Sequence, residues 1–134
     1  EGSIMSRRLT AAAAASAALV GATFAIAPSA GAAAPASVNV AGCTLGSTFT
    51  LSGSASGGRI AVSATVDGSA AGQYWSVALG DNLTGVYAGL KKSDANGDVA
   101  VSASTADQAG TDYLSGSAFN WRTGEVCGAA VSVG

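Results

Sequence analysis

Asp94, Asn96 and Asp98 stand at i, i+2 and i+4, a spacing that puts three oxygen-bearing side chains where a calcium loop would begin. Such a loop also needs glycine at its sixth position and a bidentate glutamate at its twelfth. Here Gly97 is fourth and Thr105 twelfth, so the segment reads as a turn and no metal site is assigned. The large aromatics near candidate strands are Tyr74, Trp75, Tyr87, Tyr113 and Trp121. An aromatic exposed on a sheet stacks on sugars or other ligands, whereas one turned inward fills a core. Neighbours along a strand point to opposite faces, so one of Tyr74 and Trp75 faces out. Tyr74, Trp75 and Trp121 are the candidate ligand-binding residues.

Catalysis has little to draw on. The chain contains no histidine, the commonest general base near neutral pH and the commonest metal ligand. Serine is plentiful, but a serine without a base partner is a poor nucleophile. No pair of acids stands out as a glycosidase couple, and no motif implies a cofactor. The expectation is a protein that is not an enzyme. Beyond residue 34 there are four basic residues, Arg59, Lys91, Lys92 and Arg122, against seven acidic ones, a net charge of −3. That balance argues against nucleic-acid binding. Asn82-Leu83-Thr84 is a formal glycosylation sequon, which a bacterial source would make meaningless.

The N-terminus carries the compartment signal. Residues 1–4 precede Met5 and read as a cloning remnant. Arg7 and Arg8, the apolar stretch from Leu9 to Ala27, and the break at Pro28 to Gly31 make residues 5–34 a signal peptide, with cleavage between Ala33 and Ala36. A membrane anchor is the rival reading. Alanine drives insertion weakly, however, and no basic stop-transfer cluster follows. Val40-Ala41-Gly42-Cys43 superficially fits a lipidation motif but lies away from the apolar stretch. Two cysteines in an exported chain read most simply as one disulfide, Cys43 to Cys127. It ties the first strand of the domain to the last and is worth about 4–5 kcal/mol in the chain-entropy model.

The elements that must position these residues are strands. Scarce charge with positive mean hydropathy argues against disorder. From Ser37 onward apolar and small polar residues alternate: Val38 and Val40, Phe49 and Leu51, Ile60 to Val66, Trp75 to Leu79, Val86 to Leu90, Val99 to Ala103, Tyr113 to Trp121, and Val126 to Val133. Asn96-Gly97 predicts a two-residue type I′ hairpin joining the strand ending near Lys92 to the one starting at Val99. About eight short strands with no convincing helix suit a sandwich or a barrel. Residues 35–134 are expected to form this one domain.

The segments Ser93-Asp94-Ala95-Asn96-Gly97-Asp98, Ala109-Gly110-Thr111-Asp112-Tyr113-Leu114 and Thr123-Gly124-Glu125-Val126-Cys127 give the stretch from Gly58 to Val133 a resemblance to the immunoglobulin-like domains of secreted actinobacterial proteins. That resemblance implies an antiparallel β-sandwich of about seven to eight strands, with Tyr113 placed to form a tyrosine-corner hydrogen bond. The cysteines lie near the two ends of the domain, unlike the central pair of antibody domains. The expected function is a non-catalytic, secreted or cell-envelope binding module whose partner is a cell-wall glycan, a protein or a small molecule. Two alternatives stand beside it. One is a small-molecule carrier resembling the enediyne apoproteins, which characteristically hold two disulfides; the other is a structural subunit of a surface assembly.

Overall fold

The computed structural model describes residues 35–134; residues 1–34, where a signal peptide and a four-residue remnant are expected, lie outside the described residues. Eight strands form where the alternation predicts them. They are β1 (Ser37–Gly42), β2 (Thr48–Ser56), β3 (Arg59–Asp67), β4 (Tyr74–Asp81), β5 (Thr84–Lys92), β6 (Val99–Ala106), β7 (Asp112–Asn120) and β8 (Val126–Val133). All pairings are antiparallel, and the strands form two four-stranded sheets, β1-β2-β3-β6 and β5-β4-β7-β8.

Strands β2, β3, β4 and β7 each bury one parity of their residues, β6 and β8 do so in part, and the two buried faces meet. Phe49, Leu51, Ile60, Val62, Val66, Val99 and Val101 from the first sheet pack on Trp75, Val77, Leu79, Leu114, Ala118 and Val133 from the second. The sheets approach closely at Gly116, where a Cβ would come within 3.1 Å of both Leu51 and Phe49. Set β1 aside, and β3 beside β6, β4 beside β7 and β7 beside β8 reproduce the B–E, C–F and F–G pairings of an immunoglobulin sandwich. Strand β5 then occupies the C′ position beside β4. The fold is an immunoglobulin-like sandwich with β1 added beside β2.

That extra strand explains the placement of the cysteines. Strands β1 and β8 are edge strands of opposite sheets, and Cys43 just beyond β1 is bonded to Cys127 in β8. Around the bridge, Asn39 Nδ2 donates to the Ala130 carbonyl (2.9 Å) and Thr44 N donates to the Val126 carbonyl (3.0 Å). Buried Glu125 accepts from Ser47 N (2.8 Å), Ser47 Oγ (2.9 Å) and Leu45 N (3.3 Å), which fastens the β1–β2 loop to the start of β8. One side of the sandwich is therefore closed covalently and by polar contacts.

Two local expectations are corrected. Asn96-Gly97 does not join paired strands, because β5 and β6 lie in different sheets. Gly97 has φ +83° but Asn96 is not in the positive-φ region, so the turn is not type I′. The loop is organised by Asp94, whose Oδ1 accepts from Asn96 N and Asp98 N (both 2.9 Å), and by Ser69, whose hydroxyl donates to the Gly97 carbonyl. The two-residue hairpin of that geometry is Asn82-Leu83 between β4 and β5, where φ is +46° and +68°. Tyr113, for its part, makes no corner bond through its hydroxyl among the described residues. Asp112 and Leu114 take the inward parity of β7, which leaves the Tyr113 ring 64 % exposed, and only its backbone pairs with Asn82.

Candidate functional site: an aromatic platform on the second sheet

The outward face of the second sheet carries Tyr74, Ser76 and Ala78 from β4, Ala88 and Leu90 from β5, Ser117 and Phe119 from β7, and Val126 and Gly128 from β8. The register fixes their neighbours. Leu90, Ser76, Phe119 and Val126 lie in one row across the four strands, and Ala88, Ala78, Ser117 and Gly128 lie in the next. The second row has only small side chains, so it forms the floor of a trough of about 450 Å³ with the bulky row as its wall.

Trp121 stands at the head of that wall. It follows β7, and a buried asparagine sets its position: Asn120 Oδ1 accepts from Arg122 N (2.8 Å) and Thr123 N (3.1 Å), while its Nδ2 donates to Gln73 Oε1 (2.7 Å). Trp121 N donates to the Tyr74 carbonyl (3.0 Å), bringing the two aromatic residues together. The indole Nε1 then donates to Ser76 Oγ (2.7 Å), which folds the ring back along the sheet. Phe119 meets it edge to face, with centroids 5.5 Å apart and planes at 85°. The indole remains 66 % exposed. Its polar N–H is satisfied by the protein, so what it offers outward is aromatic surface. A second depression, lined by Gly72, Gln73, Tyr74, Trp121 and Arg122, opens at the same end.

Of the three aromatics expected at a ligand, Tyr74 and Trp121 share this face and Trp75 does not. Trp75 takes the inward parity of β4 and is fully buried, and its indole N–H has no hydrogen-bond partner among the described residues; it is a core residue. Tyr87 also turns inward, its ring lying over Gly89. Phe119 and Ser76 were missed by the sequence reading. The signal was available for Phe119, which shares the parity of Trp121 two residues away. Ser76 is marked only by the fold, through its register with Phe119 and Leu90.

The opposite end of β4 brings acids together that sequence spacing keeps apart. Asp81 and Asp112 are both buried, and neither Asp81 oxygen has a hydrogen-bond partner. Burial, then the neighbouring Asp112 carboxyl, holds the Asp81 carboxyl above the ordinary range. Desolvation and Asp112 push exposed Asp107 in the same direction. Asp112 itself accepts from Asn82 Nδ2 (2.8 Å) and, weakly, from Gln108 N (3.4 Å). Among the described residues no three or more His, Cys, Asp or Glu side chains are grouped so as to hold a metal ion. The acids make a buried acid pair with an exposed third member.

No family model, curated protein or solved structure matches the chain. Among the described residues no helix is long and apolar enough to cross a membrane.

Proposed function

We propose that the chain is an exported, non-catalytic binding module of the cell envelope that takes a glycan on the outward face of its second sheet. The observation that carries this reading is the fixed orientation of Trp121. Its indole N–H is bound to Ser76 and its ring meets Phe119 edge to face, so an exposed aromatic surface is held in one orientation beside Tyr74. A ring held in advance loses little conformational freedom when a ligand stacks on it, and that favours affinity. The trough beside it is open and elongated along the row of small residues, with Ser76 and Ser117 on its border, so a ligand stacked on Trp121 has room to continue along the sheet.

Affinity electrophoresis of the purified chain in gels containing cell-wall polysaccharides, β-glucans or arabinogalactan, with pull-down on insoluble peptidoglycan, tests the reading. Retardation by at least one glycan, lost in Trp121→Ala and weakened in Tyr74→Ala while the circular dichroism spectrum is unchanged, is the expected result. Wild-type protein that ignores every glycan, or Trp121→Ala that binds as well as wild type, refutes it.

The small-residue floor also supports a second reading, a carrier for a compact organic ligand. The trough volume lies within the range of small-molecule sites. Native mass spectrometry of protein exported by its own host decides this, since a carrier arrives with a bound organic mass.

A further inference from the structure

The platform is set in a distribution of charge unlike the rest of the domain. Seven acids and four bases make residues 35–134 acidic. One base, Arg59, lies on the first sheet, where its Nε donates to Ser104 Oγ (2.8 Å). The other three gather at the aromatic end of the second sheet. Lys92 is paired in register with Tyr74 and Lys91 with Trp75, and Arg122 directly follows Trp121. Lys92 runs past Gly72, and its Nζ sits 5.7 Å from the centroid of the Tyr74 ring. Arg122 helps to line the depression that Tyr74 and Trp121 wall, and Lys92 lies against two residues of that lining, Gly72 and Tyr74. Asp94, the acid nearest along the chain, has its Oδ1 occupied by the two N–H groups of its own loop.

We infer that the glycan recognised here is an anionic one, whose carboxylate or phosphate lies between Lys92 and Arg122 while a sugar ring stacks on Trp121. The inference rests on the proposed glycan-binding function and specifies its ligand. Its basis is charge complementarity. In an acidic domain, cations beside a fixed aromatic face attract an anionic chain and set the register in which it lies. A guanidinium grips a carboxylate or phosphate through two parallel hydrogen bonds, and an ammonium acts as a point charge. Both groups are exposed, so the preference is screened by salt.

Matched probes isolate the charge. Polygalacturonate is compared with its fully methyl-esterified form, and peptidoglycan sacculi with sacculi whose carboxyls have been amidated, each at low and high salt. Wild-type protein is expected to prefer the anionic member of at least one pair by roughly five-fold at low salt, each exposed contact being worth roughly two- to three-fold. The preference should vanish at high salt and in the Lys92→Gln/Arg122→Gln variant, read as the ratio of the two affinities so that a loss common to both members cancels. Equal binding of both members by wild type, or a preference the double variant retains, overturns the inference and leaves glycan binding standing. Binding of no member by wild type removes glycan binding and the inference together.

Discussion

Replacing both cysteines, Cys43→Ala with Cys127→Ala, is the most informative perturbation of the fold. The bridge spans a sequence separation of 84 residues. A loop of that size restricts the unfolded chain by about 4.5 kcal/mol at room temperature in the chain-entropy model. Against a domain stability of about 5–15 kcal/mol, that is the difference between a robust domain and a marginal one. A melting entropy of about 2.1 cal/mol/K per residue over the described domain converts the loss into a fall in Tm of about 20 °C. The native state should survive, because the bridge is not alone. The Asn39–Ala130, Thr44–Val126 and Glu125–Ser47 hydrogen bonds still hold β1 and its loop against β8. Thermal melts by circular dichroism, for the double variant and for reduced and alkylated wild type, test this. Both should drop by similar amounts, and the native spectra should match wild type at low temperature. A drop under about 5 °C in both would refute the reasoning, since it would mean that opening the loop does not enlarge the unfolded ensemble.

Three further outcomes follow from particular side chains. Glu125→Ala leaves buried N–H and hydroxyl groups without an acceptor and should cost about 3–5 kcal/mol in urea unfolding. Glu125→Gln keeps the oxygen that faces Ser47 N and should cost about 1 kcal/mol; equal losses for the two variants would contradict this account. Leu83 occupies the left-handed region with its side chain fully exposed, so Leu83→Gly should stabilise by about 0.5–1 kcal/mol, and a measured loss would show that the leucine makes a contact of its own. Asp81 is an acid whose folded pKa lies above its unfolded value of 3.8, so its contribution is greatest below that value and is lost as pH rises through the folded one. Asp81→Asn should therefore be more stable than wild type at neutral pH and lack the fall in Tm that Asp81 contributes as pH rises above 3.8; a less stable variant at pH 7 would mean that ionised Asp81 has a partner.

The strands were legible because their signal is local. Ile60, Val62, Ala64 and Val66 alternate with small polar residues, and burial follows that alternation to the last residue of β3. The same rule placed Tyr74 outward and Trp75 in the core once β4 was known to begin at Tyr74. What the alternation could not carry was which strands pair. Asn96-Gly97 has the composition of a tight hairpin, yet the chain there passes from one sheet to the other. The decision is made by Ser69, 28 positions earlier, whose hydroxyl and carbonyl pack against Gly97. The real two-residue hairpin was hidden for the opposite reason. Leucine is a poor residue for positive φ, and Leu83 adopts it because Asn82 is anchored at both ends of its amide to Asp112 and Tyr113.

The candidate site divides along the same line. Trp121 and Tyr74 could be named from residue type and parity, but nothing local says that they meet. Their contact depends on β4 pairing with β7, which puts Trp75 opposite Asn120 and so sets Tyr74 beside Trp121. The acid pair arises from the same pairing, since Asp81 lies opposite Leu114, two residues along β7 from Asp112. One strand pair thus makes both features, an aromatic platform flanked by cations on the outward face at one end and buried carboxyls on the inward face at the other. The two ends differ in how their polar groups are treated. Around Trp121 every polar group of the brace is matched: the indole by Ser76, the Asn120 amide by Gln73 and its own turn. Around Asp81 two oxygens are left without a donor. A ligand that stacks needs a rigid, satisfied platform, and only the aromatic end of β4 and β7 supplies one.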